Sequence, residues 1–250
     1  MGAGTCAGAR RTPALNVVIR GHVRTWMLCK HNTFQQFPNA MFHFITWNES
    51  ITWDILQQLH EDFAPYPHRI YIVPRPTHIT SSWQSQRYLT QVLKQQELSG
   101  MVMEMRPDSW VTMHDALPDA PGLYVTKLEQ RMELMKTSSG YTREMKLRCQ
   151  DAGLYMDVNT MHLLSDAYQV NREMQGPRVQ LLEYAQQQNI PIHDANKYFS
   201  VNIIRPNFQG VIENHEKHWM GLSRQAKLHH LQQLNIMEQD YITEHRAISL

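Results

Sequence analysis

The sequence predicts an α/β protein whose core is a mostly parallel sheet flanked by helices. From residue 15 to residue 105, short β-branched or apolar runs alternate with stretches that carry apolar side chains at helical intervals. Such alternation is typical of strands joined by crossover helices. The chain has 250 residues, of which 42% are hydrophobic, so it is long enough to bury one sizeable core.

The first half of the chain contains the predicted strands and helices in strict alternation. The strands end at polar or proline breaks, such as Gly21 after the first and Pro74 after the third. Ser81 and Ser82 can cap the third helix, and Gly100 ends it. The predicted strands are 15–19, 41–46, 69–73 and 101–105, and the predicted helices are 26–37, 52–62 and 82–99.

After residue 108 the pattern changes to shorter elements, which predict a smaller mixed region and a helical C-terminus. Residues 130–150 are polar and have no assigned element, with a mobile loop expected at 137–140. We expect a flexible leader at 1–14, one domain at 15–212 and a helical extension at 213–250. The other predicted elements are strands at 110–113 and 123–126, a short strand after Asn189, a mixed strand at 193–204, and helices at 157–170, 179–188 and 217–244.

Charge and cysteine content exclude several classes of partner. The net charge is +1, from 24 basic and 23 acidic residues, so no overall field attracts nucleic acid or an anionic membrane. The three cysteines are far apart and include no CxxC pair, which favours a reducing compartment over a disulfide framework. No run of about 18 apolar residues is present. We therefore expect a soluble, cytoplasmic protein without a transmembrane segment.

The fourth predicted strand ends abruptly in charged residues. It runs through MVMEM and stops at Arg106, Pro107 and Asp108. Proline cannot donate to a sheet and favours an extended residue before it, so the strand is expected to end there. Arg106 and Asp108 would then lie at a sheet edge, where they suit a phosphate or a metal ion. The alternative is that the two side chains cap the strand end and pair with neighbouring surface groups.

Three further arginines suggest an anion site. Arg20 and Arg24 flank Gly21 directly after the first strand, where backbone can approach a phosphate and a guanidinium can bind it with two nitrogens. A turn with solvated charges would look the same. Arg87, on the third helix, is either a surface arginine with a buried stem or a phosphate ligand.

Several segments, in this order, resemble a group of small glycosyltransferases of the WavE lipopolysaccharide-synthesis type, found in bacteria and large DNA viruses. Together they cover roughly residues 15–207, and the resemblance implies a GT-A-like nucleotide-binding fold. It also implies sugar transfer from a nucleotide-sugar donor to a glycan or lipid-linked acceptor. The segments are VIRGHVRTW at 18–26, FHFITWN at 42–48, MVMEMRPDSW at 101–110, an Asp-led stretch at 150–168 and the run from VQLLEYAQQQNIPI to IIRPN at 179–207.

The same resemblance implies roles for individual residues. Gly21 and Arg24 would hold the nucleotide, and Arg106 and Asp108 the diphosphate. GT-A enzymes commonly use two nearby carboxylates to hold Mn²⁺ or Mg²⁺, but here Arg106 stands in the first position and only Asp108 is acidic. Asp108 would therefore bind a metal with waters and phosphates completing its shell, or a donor hydroxyl while Arg106 compensates the phosphate.

Asp151 is the expected catalytic base of an inverting displacement, and this role also comes from the resemblance. Asp157, six residues later, is its competitor, although it also fits a helix N-cap. A protein of a different class remains open as well. It would be a non-catalytic carbohydrate- or protein-binding module that keeps the fold and lacks the second carboxylate.

Overall fold

The computed structural model describes residues 15–23, 26–79, 82–137, 140–169 and 177–204. These ranges contain five α-helices and eleven β-strands, with short 3₁₀ turns at Asn48–Ser50, Val92–Gln95 and Asp166–Gln169. The helices are α1 (Trp26–Gln36), α2 (Trp53–Phe63), α3 (Ser82–Gln91), α4 (Val158–Ser165) and α5 (Pro177–Gln187). The strands are β1 (Leu15–Arg20), β2 (Met41–Trp47), β3 (His68–Val73), β4 (Met101–Met105), β5 (Ser109–Met113), β6 (Leu123–Val125), β7 (Glu129–Thr137), β8 (Gly140–Arg148), β9 (Gly153–Asp157), β10 (Ile192–Asp194) and β11 (Phe199–Ile203).

Seven strands form the central sheet, in the order β10-β6-β9-β4-β1-β2-β3. β1 pairs in parallel with β2 and β4, and β2 pairs in parallel with β3. β9 is antiparallel to both β4 and β6, while β10 is parallel to β6. Within this sheet β9 therefore runs against all the other strands. The predicted α/β class with a mostly parallel central sheet is confirmed.

Helices cover both faces of the sheet because side chains along each strand alternate between the faces. Val17 and Ile19 of β1 join one buried cluster and Val18 joins the other. On the first face, Trp26 of α1 stacks on Phe63 of α2 with ring centroids 5.1 Å apart. The opposite face is covered by α3, α4 and α5, which contribute Leu89, Met161, Leu164, Leu181, Leu182 and Ala185.

A small antiparallel ribbon, formed by β5 and β11, follows the end of β4. The buried side chain of Asn32 on α1 fixes this ribbon, since it donates to the carbonyl of Val111 and accepts from its N–H, both at 2.8 Å. At the end of the ribbon, the N–H of Ile204 donates to the carbonyl of Asp108 at 2.8 Å. The backbone of Asp108 is thus held where the main sheet passes into the ribbon.

Several elements differ from the sequence expectation. The central strand β9 was not predicted, and α3 ends at Gln91 and passes into a 3₁₀ turn, short of the predicted helix end at residue 99. Residues 129–137 and 140–148 form β7 and β8, which pair in register from Glu129 opposite Arg148 to Thr137 opposite Gly140. Met132 and Met145 are paired across these strands and are more than half exposed. The short strand expected after Asn189 is β10, in the central sheet, and the mixed strand expected at 193–204 is β11, in the ribbon at Phe199–Ile203.

Several expectations fall outside the described residues. They are the leader at 1–14, the end of the predicted domain after residue 204, the extension at 213–250 and the helix at 217–244. In the part of the chain that the structure describes, no helix has both the length and the apolar character needed to cross a membrane.

We expect Phe63→Ala to lower the free energy of unfolding by about 3–5 kcal/mol, because it opens a cavity beside Trp26 in the aromatic cluster. Trp53→Ala is the matched control on the same helix. The Trp53 side chain is 76% exposed, and its loss should change stability by no more than about 0.5 kcal/mol. Urea denaturation of both variants measures the difference, and equal losses would contradict the packing described.

Candidate functional site

The carboxyl ends of β1 and β4 lie side by side where the order of the sheet reverses. From β1, the chain continues to β2 on one side, whereas β4 lies on the other side. Ligands of open α/β sheets bind outside the carboxyl ends of strands at such a switch point. Ile19 is in register with Met105, and Met105 is in register with Gly153 at the start of β9. Residues 20–21, 106–108 and 151–152 therefore lie together at one edge of the sheet, the edge formed by the carboxyl ends of the parallel strands.

Gly21 makes the turn that closes this edge. Its φ is +132°, a conformation that residues with a side chain rarely adopt. Its N–H donates to the carbonyl of Ile45 at 3.0 Å, which carries the hydrogen bonding of β1 and β2 one residue past the strand end. A Cβ here would lie 3.4 Å from Pro107, an ordinary contact. The backbone conformation, rather than crowding, is what requires glycine.

Arg106 and Asp108 form a two-point ion pair at the end of β4. Arg106 Nε donates to Asp108 Oδ1 at 2.8 Å, and Nη2 donates to Oδ2 at 2.6 Å. The side chains are 20% and 13% exposed, respectively. The Arg106 N–H donates to the carbonyl of Ala152, which anchors the pair to the start of β9. The expected capping of the strand end thus takes the form of a pair between the two residues themselves, within reach of solvent.

The residues present do not fit a metal site built from protein ligands. Among the described residues, no group of three His, Cys, Asp or Glu side chains could hold a metal ion. Both carboxylate oxygens of Asp108 accept hydrogen bonds from Arg106. An ion bound through Asp108, with phosphates and waters as its other ligands, would have to displace this guanidinium. The expectation of Mn²⁺ or Mg²⁺ at Asp108 stays a prediction.

Arg20 and Arg87 are buried behind the residues of this edge. They share one carboxylate, that of Glu104 on β4. Arg20 Nε and Arg87 Nη2 both bind Glu104 Oε1, and Arg87 Nη1 donates to Oε2 at 3.3 Å. All three side chains are at most 1% exposed. The interpretation of Arg87 as a surface arginine is wrong, because α3 packs its guanidinium against the sheet. The alternative of a turn with solvated charges is wrong for Arg20, because its side chain is 1% exposed and binds Glu104.

The buried group of Arg20, Glu104 and Arg87, which we call the charge triad, keeps its charges at neutral pH. Burial lowers the pKa of Arg20 to about 10, although the charge of Glu104 opposes this effect. Burial alone would raise the pKa of Glu104, but the two guanidinium groups outweigh it and hold that pKa below its ordinary value of 4.5. The triad therefore carries two positive charges and one negative charge.

Asp151 is 6% exposed and lies at the same edge, immediately before Ala152. The carbonyl of Ala152 accepts from the N–H of Arg106 at 3.2 Å and from Ser109 Oγ at 2.8 Å. The negative charge of Asp151 also acts on Arg20, where it favours the protonated guanidinium. The backbone next to Asp151 thus contacts Arg106, and the charge of Asp151 acts on Arg20 of the charge triad.

Asp157 lies at the opposite end of β9, in register with Met101. With four residue steps along the strand, this is about 13 Å from the edge that holds Asp151. Its carboxylate caps α4, accepting from the Thr160 N–H at 3.0 Å and from Thr160 Oγ1 at 2.7 Å, and it also accepts from the Gly122 N–H at 3.0 Å. The N-cap interpretation of Asp157 is confirmed, and the strand direction separates it from the other candidate residues.

Glu104 is a residue of this site that the sequence did not point to, and Arg24, which it did, lies outside the described residues. Glu104 stands in a run that is otherwise apolar, and it is the sole acidic residue within MVMEM. An acidic side chain inside a buried strand requires a cationic partner, so its position contained the missing signal.

Comparisons with known proteins assign no family to the chain. No protein-family model matches it, and no curated protein matches it. Among solved structures, it is similar to a nucleoside-diphosphate-sugar pyrophosphorylase from Vibrio cholerae RC9, with 13% sequence identity and a TM-score of 0.44. The match covers 72% of this chain and 90% of that chain. A likeness of this degree identifies no activity.

We expect Glu104→Gln to lower the free energy of unfolding by about 3–5 kcal/mol, since it leaves two buried guanidinium groups without their shared counter-charge. Glu61→Gln, at an exposed position on α2, is the matched control and should cost no more than about 0.5 kcal/mol. Chemical denaturation at neutral pH provides the comparison. A Glu104→Gln variant as stable as the control would contradict the triad.

The same variant has an expected pH dependence. Because the pKa of Glu104 in the folded protein lies below its ordinary value of 4.5, the unfolded chain binds the proton more readily. The stability contributed by Glu104 is thus present above pH 4.5 and is lost as the pH falls through the lower, folded-state pKa. Stability measured against pH should fall less steeply in acid for Glu104→Gln than for the wild type.

Proposed function

We propose that the protein is a glycosyltransferase that uses a nucleotide-sugar donor. The observation that carries this proposal is the convergence of two cationic groups and a separate carboxylate at the switch point of the sheet. Arg106 follows β4, Arg20 ends β1, and Asp151 precedes β9, whose first residue is in register with Met105. Transfer of a sugar needs both functions, cations for a diphosphate leaving group and a base for the acceptor hydroxyl.

A GT-A-like fold is part of the proposal. The parallel order β3-β2-β1-β4 supports it, as does the antiparallel β5–β11 ribbon that begins directly after Asp108. The segments that resemble WavE-type glycosyltransferases include the strand ends that converge here. The resemblance therefore falls on the residues that geometry brings together, although Arg24 belongs to it and lies outside the described residues.

In the proposed site, guanidinium groups neutralise the diphosphate. Negative charge grows on the diphosphate as its bond to the sugar breaks, so donors held nearby stabilise the transition state more than the ground state. Arg106 is partly exposed and can exchange one oxyanion partner, Asp108, for another. Asp108 is then available to bind a hydroxyl of the donor. Gly21 allows the backbone between β1 and β2 to approach the nucleotide closely.

Asp151 is proposed as the base for the acceptor. The acceptor hydroxyl oxygen attacks the anomeric carbon, its proton passes to the Asp151 carboxylate, and the bond between that carbon and the diphosphate oxygen breaks. The bonding electrons leave with the diphosphate. This single displacement inverts the anomeric configuration. The acceptor is a glycan or lipid-linked hydroxyl, as the WavE-type resemblance implies.

The second candidate function is a non-catalytic carbohydrate-binding module, and Trp53 favours it. This side chain is 76% exposed at the start of α2. It lies three residues after Ser50, whose Oγ is 2.5 Å from Nδ1 of His22 in the turn after β1. An exposed indole ring near the switch point offers a flat apolar surface to a sugar. Glycan binding that requires Trp53, without turnover of any donor, would favour this function over transfer.

We expect Asp151→Asn to reduce kcat by about a hundredfold to ten-thousandfold while the donor dissociation constant changes by less than about threefold, because the base acts on the acceptor. The measurement is release of nucleoside diphosphate from UDP-, GDP- and CDP-sugars, with calorimetric donor binding alongside. Asp119→Asn, at an exposed position, is the control and should retain wild-type turnover. Folded wild-type protein that neither binds nor turns over any donor in the panel would overturn the proposal.

The role of metal gives a separate prediction. Because Arg106 already occupies both oxygens of Asp108, we expect donor binding in EDTA to be within about threefold of that in Mn²⁺ or Mg²⁺. Calorimetric titration of the donor under both conditions checks this. A loss of tenfold or more in EDTA that Mn²⁺ restores in the wild type, but not in Asp108→Asn, would instead establish the metal site expected from sequence.

A further inference from the structure

The guanidinium of Arg20 has two nitrogens without an acceptor among the described residues. Nη1 and Nη2 are both buried and have no hydrogen-bond partner in the part of the chain that the structure describes. Arg20 as a whole is 1% exposed. Buried side-chain polar atoms are satisfied in the large majority of cases, and a charged donor without an acceptor is among the most costly exceptions. Such a donor is expected to have a ligand.

Glu104 determines which part of Arg20 remains available. It accepts from Nε of Arg20, so the edge formed by Nη1 and Nη2 is the part left over. That edge presents two nearly parallel N–H groups, the arrangement that matches two oxygens of a phosphate or carboxylate. Arg87 differs, since both its Nη1 and its Nη2 bind Glu104. The two arginines share a carboxylate, but Arg20 alone keeps this two-nitrogen edge without a partner.

The position of Arg20 favours an anion. Arg20 is the last residue of β1 and precedes the Gly21 turn at the switch point, where open α/β sheets bind their ligands. Within the charge triad, one carboxylate faces two guanidinium groups. Asp151 supplies further negative charge nearby but leaves the Nη edge without a hydrogen bond. A neutral water would satisfy the hydrogen bonds but would add no charge.

We propose that the Nη1–Nη2 edge of Arg20 is a buried oxyanion site for a phosphoryl group of the donor diphosphate, and that Glu104 is the positioning residue that holds it. The oxyanion site follows from the unpartnered nitrogens, whereas the identity of its ligand as a donor phosphate rests on the proposed function. Arg106 and Arg20 then divide the diphosphate between a partly exposed cation and a buried one. Glu104 contacts only the arginines and affects the ligand through the orientation of Arg20.

The experiment uses the full chain, in EDTA, with inorganic pyrophosphate and with UDP, GDP and CDP as probes. Arg20→Lys keeps the charge but loses the two-nitrogen edge, so it should weaken pyrophosphate binding by about tenfold or more. Arg69→Lys, at an exposed position on β3, is the matched control and should weaken it by less than about threefold. Binding of the corresponding nucleosides, which lack phosphate, should be unchanged in Arg20→Lys. Equal pyrophosphate affinity in Arg20→Lys and wild type would overturn the proposal.

The test of Glu104 needs a measurement that a general loss of stability would not change. Glu104→Gln should weaken pyrophosphate binding by about tenfold and leave nucleoside binding within about threefold, since Arg20 loses its orientation while the rest of the site remains. A variant that loses both equally would contradict a positioning role. If the variants do not fold, nitrogen-detected NMR of the arginine side chains in the wild-type protein tests whether pyrophosphate contacts a buried arginine. Absence of a shift in any buried arginine signal at saturating pyrophosphate would overturn the site.

The oxyanion site and the proposed function fail in different ways. Pyrophosphate binding that depends on Arg20, combined with no turnover of any nucleotide-sugar, would retain the site and exclude glycosyl transfer. Turnover that is retained in Arg20→Lys, with unchanged KM for the donor and unchanged pyrophosphate affinity, would retain glycosyl transfer and exclude the site.

Discussion

The candidate site depends on one carboxylate, that of Glu104, buried between two arginines. Charges in a protein interior interact strongly, but they lose the hydration that stabilises them in water. Glu104 on β4 offsets this loss for Arg20 on β1 and for Arg87 on α3. The triad thereby links two adjacent strands with the helix that covers them. It brings a buried positive charge to the switch point, where an apolar core could not hold one.

The exposed ion pair at the same edge has a different physical character. Arg106 and Asp108 are joined by two hydrogen bonds but retain access to solvent, so a ligand can replace one partner without leaving a charge buried alone. Removing Glu104, by contrast, would leave the guanidinium groups of Arg20 and Arg87 buried without a counter-charge. The edge thus combines a fixed cation with an exchangeable one. A fixed buried cation together with an exchangeable, partly exposed cation suits a site that binds a charged donor and releases a charged product.

The sequence predicted the first four strands and their helices because each strand is a short apolar run that ends in glycine, proline or charge. It also predicted that Gly21, Arg106 and Asp151 would belong to one site. It favoured Asp151 over Asp157 through the resemblance alone, because the physical reason, the antiparallel direction of β9, has no local pattern in the sequence. Partners distant in the chain, such as Arg87 and Glu104, leave no local pattern. The β7–β8 hairpin was missed because its strands pair mainly with each other and expose Met132 and Met145.

Arg20 interacts with both Glu104 and Asp151, and this bears on how the proposed reaction would balance charge. When the acceptor loses its proton to Asp151, one negative charge disappears from that carboxylate. When the bond to the sugar breaks, one negative charge appears on the diphosphate. If that diphosphate lies on the Nη edge of Arg20, the total charge around this guanidinium stays constant as the reaction proceeds. A fixed cation that interacts with both the base and the leaving group requires no reorganisation of its surroundings during this shift, and that is the condition under which buried electrostatic groups lower a barrier most effectively.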